Sequence, residues 1–117
     1  MKNEEMDLKM RTKLFARRII RLYSSLSTVT VAQVLGKQAL RSGTSIGANY
    51  RESCRARSKA EFISKTGDCL KKADETLYWL ELLQENIVSQ RKLSSLLDEA
   101  NQLVAILVAS INTSRGK

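Results

Sequence analysis

Ser58-Lys59-Ala60-Glu61-Phe62-Ile63-Ser64-Lys65 marks the start of a helix more sharply than any other stretch of the chain. Ser58 and Glu61 form an S-x-x-E capping box, in which the serine oxygen accepts the Glu61 N–H and the glutamate folds back on the backbone before it. Phe62, Cys69, Ala73, Leu77, Leu80 and Leu83 follow at helical spacing and carry an apolar stripe to about Gln84. Lys71 with Glu75 and Glu81 with Glu85 take outer positions. Cys69, on the stripe, is expected to be an ordinary buried thiol. Tyr78 and Trp79 lie off the stripe, where they either cover the edge of the core or touch another subunit.

Upstream, a second helix is expected from about Val31 to Cys54, with Val31, Val34, Leu35, Gln38, Ala39 and Ile46 on or near its inner face. Ala39, Gly43 and Gly47 are spaced by four, with Gly36 close to the same line. A glycine inside a helix costs about 1 kcal/mol against alanine, so this repetition points to close helix packing, with a local kink as the alternative. Beside it runs a polar line of Arg41, Ser45, Asn49 and Glu52, which either forms a site or cross-links the bundle. Ser27-Thr28-Val29-Thr30 suits a loop, with Thr28 or Thr30 as the cap of the second helix.

The first helix is expected from about Met6 to Leu26, since Leu8, Phe15, Ile19, Leu22 and Leu26 recur at threes and fours. Asp7 in its first turn suits the helix dipole. Lys9, Lys13, Arg17 and Arg21 are spaced by four and form a ladder opposite Phe15. Like charges at that spacing repel, so an anion or an acidic neighbour would relieve the ladder. Met10 and Ile20 are expected on the same outer face.

Downstream, after a connection over Glu85 to Leu93, Ser95 and Asp98 match a second capping box that opens a helix to about Thr113. No charge occurs from Ala100 to Ser114, with Leu96, Leu103, Leu107 and Ile111 on one face and Val104, Ile106, Val108 and Ala109 spread around it. A helix apolar over most of its circumference is buried on more than one side, so contact between copies is expected, a broad core stripe being the alternative. Four helices with short connections make one all-α domain over residues 1–117, an antiparallel up-down-up-down four-helix bundle.

Composition agrees with one helical domain. The 117 residues include no proline and five glycines, too little turn punctuation for an all-β fold, and 43% are apolar. Net charge is +8 and unevenly held: residues 1–60 carry 13 Lys+Arg against 4 Asp+Glu, a local +9, and residues 61–117 carry 7 against 8. A positive field confined to the first two helices suits an anionic partner, the commonest being nucleic acid, unless it is simply a solvated basic surface.

Histidine is absent, which excludes Ser-His-Asp, Cys-His and histidine-metal arrangements. Cys54 and Cys69 have no C-x-x-C spacing, so no metal is expected, and no Gly-rich phosphate loop occurs. No cofactor and no enzymatic activity are expected. The charged start Met1-Lys2-Asn3-Glu4-Glu5 is unlike a signal or transit peptide, and the apolar run Leu103–Ile111 is far shorter than a membrane span. A cytoplasmic protein with reduced thiols and no membrane partner is the expectation.

Arg41-Ser42-Gly43-Thr44-Ser45-Ile46-Gly47-Ala48-Asn49-Tyr50-Arg51-Glu52 resembles the signature of a bacterial four-helix-bundle family that includes proteins encoded by intervening sequences of 23S ribosomal RNA genes. The resemblance continues through Ser58–Lys65 and through Lys72-Ala73-Asp74-Glu75-Thr76-Leu77-Tyr78-Trp79-Leu80-Glu81-Leu82-Leu83. It implies a bundle that assembles as a ring-like homo-oligomer, a pentamer, with nucleic acid as the implied ligand class. A related branch is the accessory variability protein of diversity-generating retroelements, a basic pentamer that works with a reverse transcriptase and RNA. Arg41, Ser45, Asn49 and Glu52 occupy the family's polar signature. Many relatives read Ala-Glu-Gly where this chain has Arg51-Glu52-Ser53 after Tyr50.

The function expected is therefore a non-enzymatic homo-oligomer that binds RNA or DNA by phosphate contacts. Lys9, Lys13, Arg17, Arg18 and Arg21 are the expected ligands, assisted by Arg51, Arg55 and Arg57. The alternative is a scaffold that presents the same basic surface to an acidic or polymerase-like protein partner.

Overall fold

The computed structural model describes residues 4–116, and within the first helix it describes side chains from Leu8 onward. The charged start at residues 1–3 and the side chain of Asp7 lie outside the described residues. Among those described there are four helices and no strand: α1 (Glu4–Ser24), α2 (Thr30–Cys54), α3 (Lys59–Asn86) and α4 (Gln90–Ser114). Each packs against its neighbours in sequence, α4 returns to α1, and among the described residues the diagonal pairs bring no Cα atoms within 8 Å of each other, as an up-down-up-down bundle requires. The bundle measures 45 × 25 × 21 Å, its long dimension close to the roughly 42 Å length of the 28-residue α3.

The ends of the helices follow their local chemistry. Ser58 caps α3, its oxygen accepting the Glu61 N–H at 3.0 Å, while Glu61 Oε1 accepts the Arg57 N–H at 3.0 Å. The expected cap of α2 is not made. Val29 stands at that position with no side-chain hydrogen bond, and neither Thr28 nor Thr30 serves. The start of α4 also differs from expectation: Ser89 is the cap, accepting the Lys92 N–H at 3.4 Å, and the helix begins five residues before Ser95. Ser95 lies inside the helix, where its hydroxyl accepts a bond from Arg18, and Asp98 accepts one from Gln102. α1 likewise starts earlier than expected, at Glu4, and ends at Ser24, two residues short of Leu26.

The core consists of one cluster built around Leu8, Phe15, Ile19, Ile46, Tyr50, Leu80, Leu83, Leu93, Leu103 and Leu107. Here the inner face of α2 is rotated from the expected one. Ala32, Gly36, Ala39, Ser42, Gly43, Ile46 and Tyr50 are buried, Leu35 is only partly buried, and Val31, Val34 and Gln38 are exposed. The cause is the glycine line. A Cβ at Gly43 would stand 2.9 Å from Ile19 Cγ1, and one at Gly47 would stand 3.1 Å from Thr12 Oγ1. α1 therefore approaches the α2 backbone more closely than a branched face would permit, and small residues face inward in place of the valines.

Polar groups inside the bundle are few and mostly paired. Thr76 Oγ1 lies 2.8 Å from Ser42 Oγ and 2.7 Å from the Lys72 carbonyl oxygen, linking α3 to α2. Cys69, fully buried, donates to the Ile46 carbonyl at 3.0 Å, and burial, with Cys54 and Asp68 nearby, pushes its thiol up to about 12. It is the inert buried thiol its spacing implied. Trp79 packs at the edge of the core with its ring centroid 5.1 Å from that of exposed Tyr78.

α4 is long and apolar enough over Gln90–Ser114 to cross a membrane, which a count of its uncharged run alone did not reveal. Leu93, Leu96, Ala100, Leu103, Leu107 and Ile111 nevertheless form a single stripe buried in the bundle. Ala105, Val108 and Ala109 on its other side are exposed.

Candidate nucleic-acid interface

The basic ladder of α1 is a diagonal. At about 100° per residue, positions four apart drift some 40° around a helix, so Lys9 and Arg21 sit on different flanks. All four ladder residues are exposed. None makes an ion pair with a described carboxylate. Lys9 and Lys13 line a groove of about 230 Å³ between α1 and α2, and across it stands Arg51. Thr12, Ala16, Thr44, Gly47 and Ala48 complete the lining. Both threonine hydroxyls donate to carbonyls of their own helices, Thr12 to Leu8 at 2.9 Å and Thr44 to Leu40 at 2.8 Å. A neutral floor of small groups thus carries three cations on its rim.

The other end of the ladder opens on a second groove, of about 250 Å³, between α1 and α4. Arg18 and Arg21 supply one wall and Lys92 the other, above Leu22, Ser25, Leu93 and Leu96. Arg18 Nη2 donates to Ser95 Oγ at 2.9 Å, which holds its guanidinium across this groove. Lys92 is the functional candidate that the sequence did not yield, because residues 85–93 read as a connection. Ser89, three residues before it, was the capping signal available.

Arg17 lies between the two grooves on the crest of α1, exposed. Met10, Leu14 and Ile20 are also exposed on this helix, at 56%, 44% and 49%, so apolar groups are interleaved with the cations. Arg11 is different in kind. Its guanidinium binds Glu99 and Gln102 and joins α1 to α4.

The remaining expected residues separate into two groups. Arg55 follows α2 as its C-terminal cap residue and is exposed, one turn beyond Arg51. Arg57 projects into solvent from the α2–α3 turn and stands 3.9 Å from Glu61, which offsets its charge. The polar signature does not form a buried ladder. Arg41 and Glu52 are exposed and Ser45 and Asn49 half-buried. Ser45 donates to the Arg41 carbonyl at 2.7 Å, and Glu52 pairs with Lys65 of α3 at 3.7 Å. Buried polar contact between α2 and α3 comes instead from Ser42 with Thr76 and from Cys69 with the Ile46 carbonyl.

A third cleft, about 600 Å³, opens at the end of the bundle between Leu8, Tyr50, Cys54, Phe62, Ile106 and Thr113. Among the described residues none that lines it is charged, and Tyr50 and Cys54 are the titratable ones.

Comparison with known proteins places this geometry in a family. Residues 4–109 match the family model described as 23S rRNA-intervening sequence protein. A crystal structure of a protein of unknown function from the S23 ribosomal protein family, from Bacteroides thetaiotaomicron, superimposes with a TM-score of 0.83. It is 41% identical, and the match covers 89% of this chain and 97% of that one. No curated protein matches the chain. With nearly its whole length matched in sequence and in fold, the chain belongs to the 23S rRNA-intervening sequence protein family.

Proposed function

We propose that this protein is a non-enzymatic, homo-oligomeric nucleic-acid-binding protein that holds phosphates on the outer face of α1 and α2. The observation that carries this reading is the convergence of Lys9, Lys13 and Arg51 from two helices on one groove, with no described carboxylate paired to any of them. Three like charges kept together are mutually repulsive, and a phosphodiester relieves that repulsion while releasing its own counterions. The family name, which refers to 23S rRNA, makes RNA the first nucleic acid to try.

Assembly into an oligomer is supported by α4, whose Ala105, Val108 and Ala109 form an uncharged exposed strip beside half-buried Val104 and Ile106. Burying that strip against a second copy would leave the basic face of α1 and α2 open. Replacing Lys13, Arg17 and Arg21 together by glutamate should abolish binding in a gel-shift titration while helicity and the mass by light scattering stay unchanged. Retained affinity in the triple variant would refute the reading. A protein partner that survives nuclease treatment of the native complex would favour a scaffold instead.

A further inference from the structure

The two basic grooves flank one helix, and together they describe a path. We infer that the ligand is a single nucleic-acid strand that crosses α1 obliquely, from Arg51 on α2 past Lys9, Lys13, Arg17 and Arg21 to Lys92 on α4. This rests on the phosphate-binding reading above and specifies its track and the form of nucleic acid.

The track follows from placement. Lys9 and Lys13 face the α2 groove, Arg21 faces the α4 groove, and Arg17 bridges them on the crest. From Lys9 to Arg21 is about 18 Å along the helix, at 1.5 Å per residue. A stacked strand advances about 3.4 Å per nucleotide, so an oblique path over this span passes at least about five phosphates. Lys92 extends it onto α4, whereas Arg57 lies away from both grooves and beside Glu61.

The form follows from shape and from what lies between the charges. The grooves sit on opposite flanks of a convex ridge, and a duplex, stiff over about 50 nm, does not bend over a single helix, whereas a single strand can. Met10, Leu14 and Ile20 are exposed among the cations. Unpaired bases have apolar faces to cover such groups and to stack on a guanidinium plane such as that of Arg17, while a duplex offers its rim of phosphates.

The test uses labelled 20-nucleotide probes, one RNA strand, one DNA strand of the same sequence and the corresponding DNA duplex, with the full chain at about 50 mM salt. Both single strands should bind more tightly than the duplex by about fivefold or more. Lys92→Glu should weaken single-strand binding about as much as Lys13→Glu, by roughly fivefold or more, and Arg57→Glu should leave it within about twofold. Lys92 is exposed and in the first turn of α4, where a carboxylate suits the helix dipole, so Lys92→Glu should retain its circular dichroism. Lys92→Gln, which removes the charge without reversing it, should fall between the wild type and Lys92→Glu. Unchanged binding in Lys92→Glu, or a duplex bound more tightly than the single strands, would overturn the track and leave the basic-face reading standing. No binding of any probe would overturn both.

Discussion

Arg11 of α1 grips Glu99 of α4 with two parallel hydrogen bonds, Nε to Oε2 at 3.1 Å and Nη2 to Oε1 at 2.8 Å. The helix pair it joins is the most sparsely packed in the bundle. Gln102 Oε1 accepts a further bond from Arg11 Nη2 at 3.0 Å, and Gln102 in turn donates to Asp98 at 2.9 Å. A bidentate pair with both side chains largely shielded is the geometry in which an ion pair exceeds the small value of exposed ones. Arg11→Ala should therefore cost about 2 kcal/mol in urea unfolding, since Gln102 also loses its donor. A double-mutant cycle with Glu99→Ala should recover about 1 kcal/mol of coupling. A coupling near zero would mean that α4 is held by its leucines alone.

The glycines of α2 and α3 should respond in opposite directions to the same substitution. At Gly43 an added methyl meets Ile19 at 2.9 Å from Cγ1 and 3.2 Å from Cγ2, both on a stiff β-branched side chain in the core. Gly43→Ala should lower stability by about 1–2 kcal/mol, overpacking exceeding the gain in helix propensity. Gly67, inside α3, has nothing within 4 Å of such a methyl, so Gly67→Ala should raise stability by about 1 kcal/mol. Thermal melts of the two variants, read side by side, give the signs.

The bundle was legible in the sequence where a single local rule decided an element. Ser58 and Glu61 placed the start of α3 to the residue, and the four-residue glycine spacing pointed to a close helix contact, which is made with Ile19 and Thr12. Where two rules competed, the sequence misled. Ser95 and Asp98 have the pattern of a capping box, yet their side chains are taken by Arg18 and Gln102 in mid-helix, and the true cap, Ser89, has no acidic residue three positions on. Val31 and Val34 looked like core, but a helix that presents glycine and alanine to a close neighbour turns its valines outward. Lys92 stayed hidden for the first reason. The sequence puts Arg51 beside the α1 ladder as an assisting cation, and the packing of α1 on α2 brings it into one groove with Lys9 and Lys13.

The buried thiol of Cys69 predicts a pH dependence. Its folded value is raised from 9.0 to about 12, mainly by burial. A group raised in the folded state contributes stability that is complete below its unfolded value and is lost as pH rises towards the folded one. Unfolding should thus become easier between about pH 9 and 12, because the unfolded chain ionises there and the folded one does not. Cys69→Ala should show a shallower loss over that window in urea titrations at stepped pH, although it begins from lower stability because of the methyl-sized void. In the native protein a thiol reagent should modify half-buried Cys54 well before Cys69.

The salt dependence of binding tests the phosphate-contact account most directly. For a single strand the slope of log Kobs against log salt concentration is about −0.7 per phosphate neutralised, so five to six contacts predict a slope near −4 between about 50 and 200 mM. A slope of that size, reduced stepwise as Lys13, Arg17 and Arg21 are replaced one at a time, is the result expected. A slope near zero, or one that the three replacements leave unchanged, would contradict it.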